Sequence, residues 1–443
     1  MFTKLGLLVL KRRFPVACAS QLRTYLSESY KCTQTWENRL QPDYMQKINL
    51  DSLYLDIEQS FNQNGKPSVI DVDIFVNKLT NNVNADEVSD LLHKLRLTEE
   101  TSNTLPSTGH AVIRAFLESD HVEDLLHMLD DRLNYGIFLD HYLANYLLDE
   151  LTKRKDFTAA ARVATMLMLQ EDFGNEISLP MALYACWNYL GDPKPFYPVE
   201  EKQEETKKSK DEVKVRVKFL RNEYFDDHFD LRDNFHLVGK TLLMIGSQIQ
   251  PGNIGKNAQL LGAVLYQKYD KVLTLLPEVK SVLHKDVVQI ASKQIEQIPE
   301  DKLGENGQQV KTQLQTLSAD SSLNSSNFGE DVENLIKTAV AKCEKDEIAK
   351  QESVYKSWME LRENKLKEEI ERLDRAKRLQ EIEKMTESMK LEEQKLWFFE
   401  NEDKIDLQID SKKVFYPKRW FGKKKKPRVI DEGYVPPEVR QKQ

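Results

Sequence analysis

Along residues 69–173 apolar side chains recur at intervals of three and four, and short polar phrases interrupt them at regular distances. The interruptions read "TNNVNAD", "ESDHVE" and "KRKDF". Shifted by 35 residues, Ile113 falls on Leu148, Phe116 on Leu151, Val122 on Phe157, and Leu125 and Leu126 on Ala160 and Ala161. Shifted by 34, "DLLHKL" at Asp90–Leu95 falls on "DLLHML" at Asp124–Leu129. A fixed period of this length marks an array of helical pairs, each too small to bury its apolar face alone.

The spacing predicts pairs over Val69–Arg96, Pro106–Tyr135 and Asp140–Phe173, with a weaker fourth unit from "ISLPMALYACWNYLGD". Asn84, Asp120 and Asp156 stand where each second helix should begin, where an Asn or Asp side chain can accept an orphan backbone N–H. Before the array, "TWENRLQPDYMQKINLDSLYLDIEQSF" reads as a helical cap, so cap and repeats together span 26–191. Residues 192–212 are Pro-rich and then charged, a linker or insertion. Helical pairs resume over 213–299, where "VKVRVKFL" reads equally as a short strand or a surface arm. The polar, Ser/Asn-rich stretch 300–331 reads as a flexible linker.

From 332 to 400 the pattern changes to one long charged helix rich in Glu, Lys, Leu and Arg. Acid-before-base pairs four apart, such as Glu363–Lys367 and Asp374–Arg378, support an exposed helix. Leu366, Ile370, Leu373, Leu379, Ile382, Met385 and Met389 form a narrow apolar stripe whose spacing is not a strict heptad. A self-paired coiled coil and a helix lying on a partner both fit it. Residues 401–443 form a basic aromatic tail. Lys412, Lys413, Lys418, Arg419, Lys423, Lys424, Lys425, Lys426 and Arg428 are interleaved with Phe415, Tyr416, Trp420 and Phe421, without an acid. Lysines and arginines there can neutralise phosphates while the rings stack on unpaired bases, which makes Lys412–Arg428, with Trp420 and Phe421, a candidate RNA-binding segment. The fold class expected is therefore all-α: a short α-solenoid of helix-turn-helix repeats, then a long charged C-terminal helix and a basic tail.

Charge refines this picture. The 443 residues carry 64 Lys and Arg against 72 Asp and Glu, a net charge of -8, which argues against wholesale wrapping of nucleic acid and leaves room for a local basic site. No apolar run approaches the roughly 18 residues of a membrane span. Cys18, Cys32, Cys186 and Cys343 lack CxxC spacing and read as unpaired thiols of a reducing compartment. Residues 1–25 hold Lys4, Lys11, Arg12, Arg13 and Arg23 and no acid, with the basic cluster after the apolar run "GLLVL". That order predicts a mitochondrial transit peptide and a matrix location, and "RTYLS" predicts a cut after Tyr25. No phosphate-binding loop, dinucleotide fingerprint or zinc-protease motif is present, and the histidines at 93, 110, 121, 127 and 141 include no pair four apart on one helix face. No catalytic residue, metal, cofactor or small-molecule substrate is expected.

The segment "YGIFLDHYLANYLLDELTKRKDFTAAARVATML" resembles a pentatricopeptide repeat. That family repeats every 35 residues and touches single-stranded RNA with a side chain of the first helix and one at the repeat's end. The resemblance places Asn145 and Asn175 in those roles, and His110 and Asp140 in the preceding unit, where His110 departs from the usual Asn, Thr or Ser. One base read by two side chains is physically reasonable. The order of segments over the whole chain is similar to the pentatricopeptide-type proteins of the mitochondrial ribosome's small subunit. The resemblance implies a non-catalytic protein that binds small-subunit rRNA and other mitochondrial ribosomal proteins in support of mitochondrial translation. A free pentatricopeptide factor acting on mitochondrial transcripts and a helical protein-interaction scaffold are the competing expectations.

Overall fold

The computed structural model describes residues 24–80, 84–197, 231–249, 252–318, 324 and 326–412. Among them the chain is α-helical with no strand, apart from an isolated bridge between His284 and Asn324. Residues 1–23 of the transit segment, the arm at 213–220 and the tail from Lys413 lie outside the described residues, so the expectations placed on them do too.

An N-terminal cap comprises α1 (Thr33–Glu37), α2 (Asp43–Lys47) and α3 (Leu50–Asn64). The pairs then run α4 (Val69–Lys78) with α5 (Ala85–Arg96), α6 (Pro106–Glu118) with α7 (Val122–Asp130) and the one-turn α8 (Arg132–Tyr135), and α9 (His141–Arg154) with α10 (Phe157–Leu169). Next come α11 (Ser178–Tyr189), α12 (Asn234–Gln248), α13 (Gly252–Leu265), α14 (Tyr269–Val279), α15 (Lys285–Glu296), α16 (Glu300–Ser318) and α17 (Phe328–Ser411). One apolar core runs through the pairs. It includes Leu91, Ile113, Phe116, Leu148, Ala160, Ala161, Leu183, Leu261 and Val288, all essentially inaccessible.

The repeat is visible in the turn chemistry. Asp120 and Lys155, 35 residues apart, both hold left-handed backbone at φ 63° and 59°. The following amide closes the same long bond back into the first helix, His121 N–H to Phe116 O and Asp156 N–H to Leu151 O, each 3.0 Å. This is the αL ending that satisfies a helix's last carbonyls, here built without glycine. Gln267, at φ 58° between α13 and α14, repeats it, with Lys268 N–H on Ala263 O at 2.9 Å. At the second-helix starts, Asp156 caps α10 by accepting Ala159 N–H at 3.1 Å, whereas Asn84 precedes α5 without a side-chain cap. The cap of α7 is His121 rather than Asp120, because the left-handed turn places Asp120 outside it, where it receives Arg154 of the next unit.

Two expectations change. Residues 300–318 are helical rather than a flexible linker, because Leu303, Val310, Leu314 and Leu317 fall on one buried face despite the polar composition, with a break at Gly304 where φ is 64°. The long helix runs past residue 400 to Ser411, since neither Pro nor Gly interrupts 401–411. Where α12 meets α13 the backbones nearly touch. A Cβ added at Gly262 would lie 2.5 Å from Leu243 N and 2.6 Å from Gly239 O, so side chains are excluded there.

The chain divides into two compact units, Met1–Leu366 and Lys367–Gln443. The first contains the cap, the helical pairs and the start of α17. In the second, the described helix exposes most of its apolar residues, from Ile370 to Ile409.

Candidate nucleic-acid interface

The first helices of successive pairs, α4, α6, α9 and α11, each turn one side toward a common inner face. His110 on α6 and Asn145 on α9 occupy equivalent places on that face and are buried, at 3% and 0% exposure. Asp140 and Asn175 stand at the ends of the connecting phrases and cap the helices that follow. Asp140 accepts Leu143 N–H at 2.7 Å, and Asn175 accepts Ile177 N–H at 2.7 Å and Ser178 N–H at 2.9 Å.

The remaining polar atoms of these residues are turned largely toward α17. The Nδ2 of Asn145 donates to Tyr30 Oη at 3.0 Å and Glu347 Oε2 at 3.4 Å, and its Oδ1 accepts from Ser178 Oγ at 2.7 Å. Asn175 donates to the other oxygen of Glu347. Tyr30 Oη donates to Glu347 Oε2 at 2.6 Å, and burial together with that carboxylate's charge pushes the phenol pKa up, so it stays a donor. One carboxylate of α17 is thus held by three residues of the cap and the array.

One unit earlier, His110 Nε2 lies 2.8 Å from Tyr355 Oη, while Asp140 Oδ2 lies 3.8 Å from its Nδ1. Burial pushes the imidazole pKa down, which keeps the ring neutral, and burial pushes the Tyr355 phenol up to about 12. Arg114 Nη1 donates to the same Tyr355 oxygen at 3.2 Å. Trp36, His110 and Trp358 surround the Tyr355 ring with centroids 5.2, 5.2 and 5.6 Å away.

At the first pair, Arg362 Nε donates to Asp73 Oδ2 at 2.6 Å, both groups almost wholly removed from solvent. Ser107 and Thr108 hydroxyls each donate to Asp73 Oδ1 at 2.7 Å, and Asn77 adds a third donor at 3.0 Å. A buried ion pair offsets its desolvation only when the remaining lone pairs are also satisfied, as they are here. Beyond it Leu366 packs on Met45, Ile70 and Ile74. At the other end Tyr184 Oη donates to Glu333 at 3.2 Å and Trp187 meets Phe328 edge-on at 4.8 Å. Segment 328–366 therefore crosses α11, α9, α6 and α4 in reverse chain order and fills the inner face.

A family model described as mitochondrial 28S ribosomal protein S27 matches residues 4–388. The chain belongs to that family. Membership makes it a small-subunit protein of the mitochondrial ribosome, with a structural and non-enzymatic role. The match to the mitochondrial 28S ribosomal protein S27 family takes in all four repeat-position residues and the whole of segment 328–366, and it ends before the basic tail. Of the tail residues only Lys412, the last described residue, has a place in the structure. Lys413, Lys418, Arg419, Trp420, Phe421, Lys423, Lys424, Lys425, Lys426 and Arg428 lie outside the described residues.

Asp73, Glu347, Tyr355 and Arg362 escaped the sequence reading. The signal for the three on α17 is a spacing of four, four and three along Ile336, Val340, Glu344, Glu347, Gln351, Tyr355, Trp358, Arg362 and Leu366. It averages about 3.67 residues per turn, close to the 3.6 of an α-helix, so the stripe stays on one slowly drifting face. Polar members hid the stripe. The described cysteines Cys32, Cys186 and Cys343 are free, and no cluster of potential metal ligands occurs among the described residues.

Proposed function

We propose that the chain acts as a structural framework of the small subunit, binding its rRNA and neighbouring ribosomal proteins in support of mitochondrial translation. The observation that carries this reading is the filled inner face. Asn145, Asn175, His110 and Asp140 hold segment 328–366 or cap helices, so the array is rigid and a nucleotide could meet Asn145 only after that segment left. In this reading rRNA contact falls to the basic tail, where Lys412, Lys413, Lys418, Arg419, Lys423–Lys426 and Arg428 meet phosphates and Trp420 and Phe421 stack on bases. A free transcript-reading factor would need an open row of base-contacting side chains, and a general protein scaffold would not require the small subunit.

Sedimentation of mitochondrial lysate separates these readings. The framework co-migrates with the small subunit and crosslinks to its rRNA through the tail. Crosslinks at residues 110 and 145 instead would return RNA contact to the array. The same reading places the protein in the matrix after removal of residues 1–25. Asp149 Oδ1, buried, accepts Tyr25 N–H at 2.8 Å and Leu26 N–H at 3.3 Å, and after the cut it would receive the new terminal ammonium in place of the Tyr25 amide. N-terminal sequencing of the mature protein should begin at Leu26, and an intact Met1 would refute the cut.

A further inference from the structure

The second unit carries a docking surface distinct from the filled face. On α17, Ile382, Met389 and Leu396 recur every seven residues, with Met385 and Phe399 three beyond the first and last. These five side chains are exposed, from 53% for Met385 to 69% for Phe399. In a heptad they take the two inner positions of a helix–helix seam. Contiguous exposed apolar side chains mark an interaction site, and Leu391, Trp397 and Phe398 add exposed apolar surface outside the seam.

The flanks decide what the seam accepts. The positions bordering it are Glu381, Thr386, Ser388, Glu393, Lys395, Glu400 and Glu402, four acids against one base, and Glu392 stands inside it between Met385 and Phe399. A nucleic acid would meet these acids as like charges. A second copy is disfavoured for two reasons. A self-sustaining coiled coil takes about three to four full heptads, and this seam is shorter and interrupted. In a parallel pair Glu392 would face its own copy, and in an antiparallel pair Glu381 would face Glu402. Like charges in such positions set partner choice against self-pairing.

We infer that residues 381–402 receive a single amphipathic helix of another protein, apolar along one face and flanked by lysines or arginines, with one base placed to meet Glu392. The inference deepens the proposed contact with neighbouring proteins and rests on that reading only for the source of the helix. The seam itself can be tested without a ribosome.

The probes are two designed three-heptad peptides with leucine at the inner positions, one flanked by lysine and one by glutamate. Each is titrated into the full-length chain at low salt, with fluorescence anisotropy as the readout. The basic peptide should bind about tenfold tighter or better than the acidic one, the size of a few exposed charge pairs taken together. Glu393→Lys with Glu400→Lys should reverse the order. Ile382→Ser with Met389→Ser should abolish binding of both, with unchanged helix content by circular dichroism as the folding control. Equal affinity for the two peptides, or no binding of either, overturns the inference. Sedimentation of the full chain as a dimer at micromolar concentration would give the seam to a second copy and overturn it as well. Co-migration with the small subunit remains a separate measurement, so failure of the seam and failure of the framework reading are distinguishable.

Discussion

The two stretches of α17 belong to one unbroken helix and have opposite fates. Residues 328–366 bury Val332, Ile336, Val340, Gln351, Tyr355 and Arg362, whereas Ile370, Leu373, Leu379, Ile382, Met385 and Met389 are each at least half exposed. The exposed stretch nevertheless carries the apolar stripe that stands out in the sequence, Leu366 to Met389. The difference lies in what each stripe meets. Arg362, Glu347 and Tyr355 each find a matching group on α4, α9 or α6, and a satisfied polar contact fixes register where an apolar one would slide.

The sharpest way to break this contrast is to remove one charge from each stretch. Arg362→Ala leaves Asp73 charged and buried, and should lower stability to chemical denaturation by about 3–5 kcal/mol. Arg372→Ala, an exposed side chain that pairs with the partly buried Glu369 one turn away, should change it by no more than about 1 kcal/mol. Adding Asp73→Ala to Arg362→Ala should recover part of the loss, because the pair couples. Equal effects of the two arginine variants would abolish the distinction.

Tyr355→Phe is a milder cut. It removes the hydroxyl that His110 and Arg114 share and should cost about 1–3 kcal/mol by the same measurement, more than the loss of an exposed apolar side chain such as Met389→Ser.

A pH titration sharpens the comparison further. Burial holds the folded pKa of His110 below its unfolded value near 6.5, so the unfolded chain binds the extra proton first. Stability from this group is complete above about pH 6.5, falls as the pH drops below it, and levels once the folded pKa is passed. Asp140, Arg114 and Arg39 are its charged neighbours. His110→Gln should remove this part of the acid sensitivity, checked by denaturation midpoints at pH 7.5 and 5.5. An unchanged slope would show that the ring is not confined as described.

Much of the array was legible in the sequence because the 35-residue step repeats both apolar positions and turn chemistry. Ile113 and Leu148 announce the core, and Asp156 the start of α10, whereas Asn84 and Asp120 stand near helix starts that they do not cap. The mixed stripe of α17 was not legible by the same means. Glu344, Glu347 and Arg362 look like solvent-facing residues until the groups that receive them are known, and those lie some 170 to 320 positions away in the chain. Residues 300–318 were misread for a related reason: Ser, Asn and Gln on the outer face outweighed the four apolar residues on the inner one. Composition reports the average of two faces, and packing responds to one.

Hydrogen exchange along α17 in the free, full-length protein tests the central claim most directly. Amides of 328–366 should exchange slowly, at rates set by opening of the helical array, while those of 367–411 exchange far faster through local fraying. Rapid exchange across 340–362 in the native protein would contradict the account, because it would mean that the inner face of the array is open.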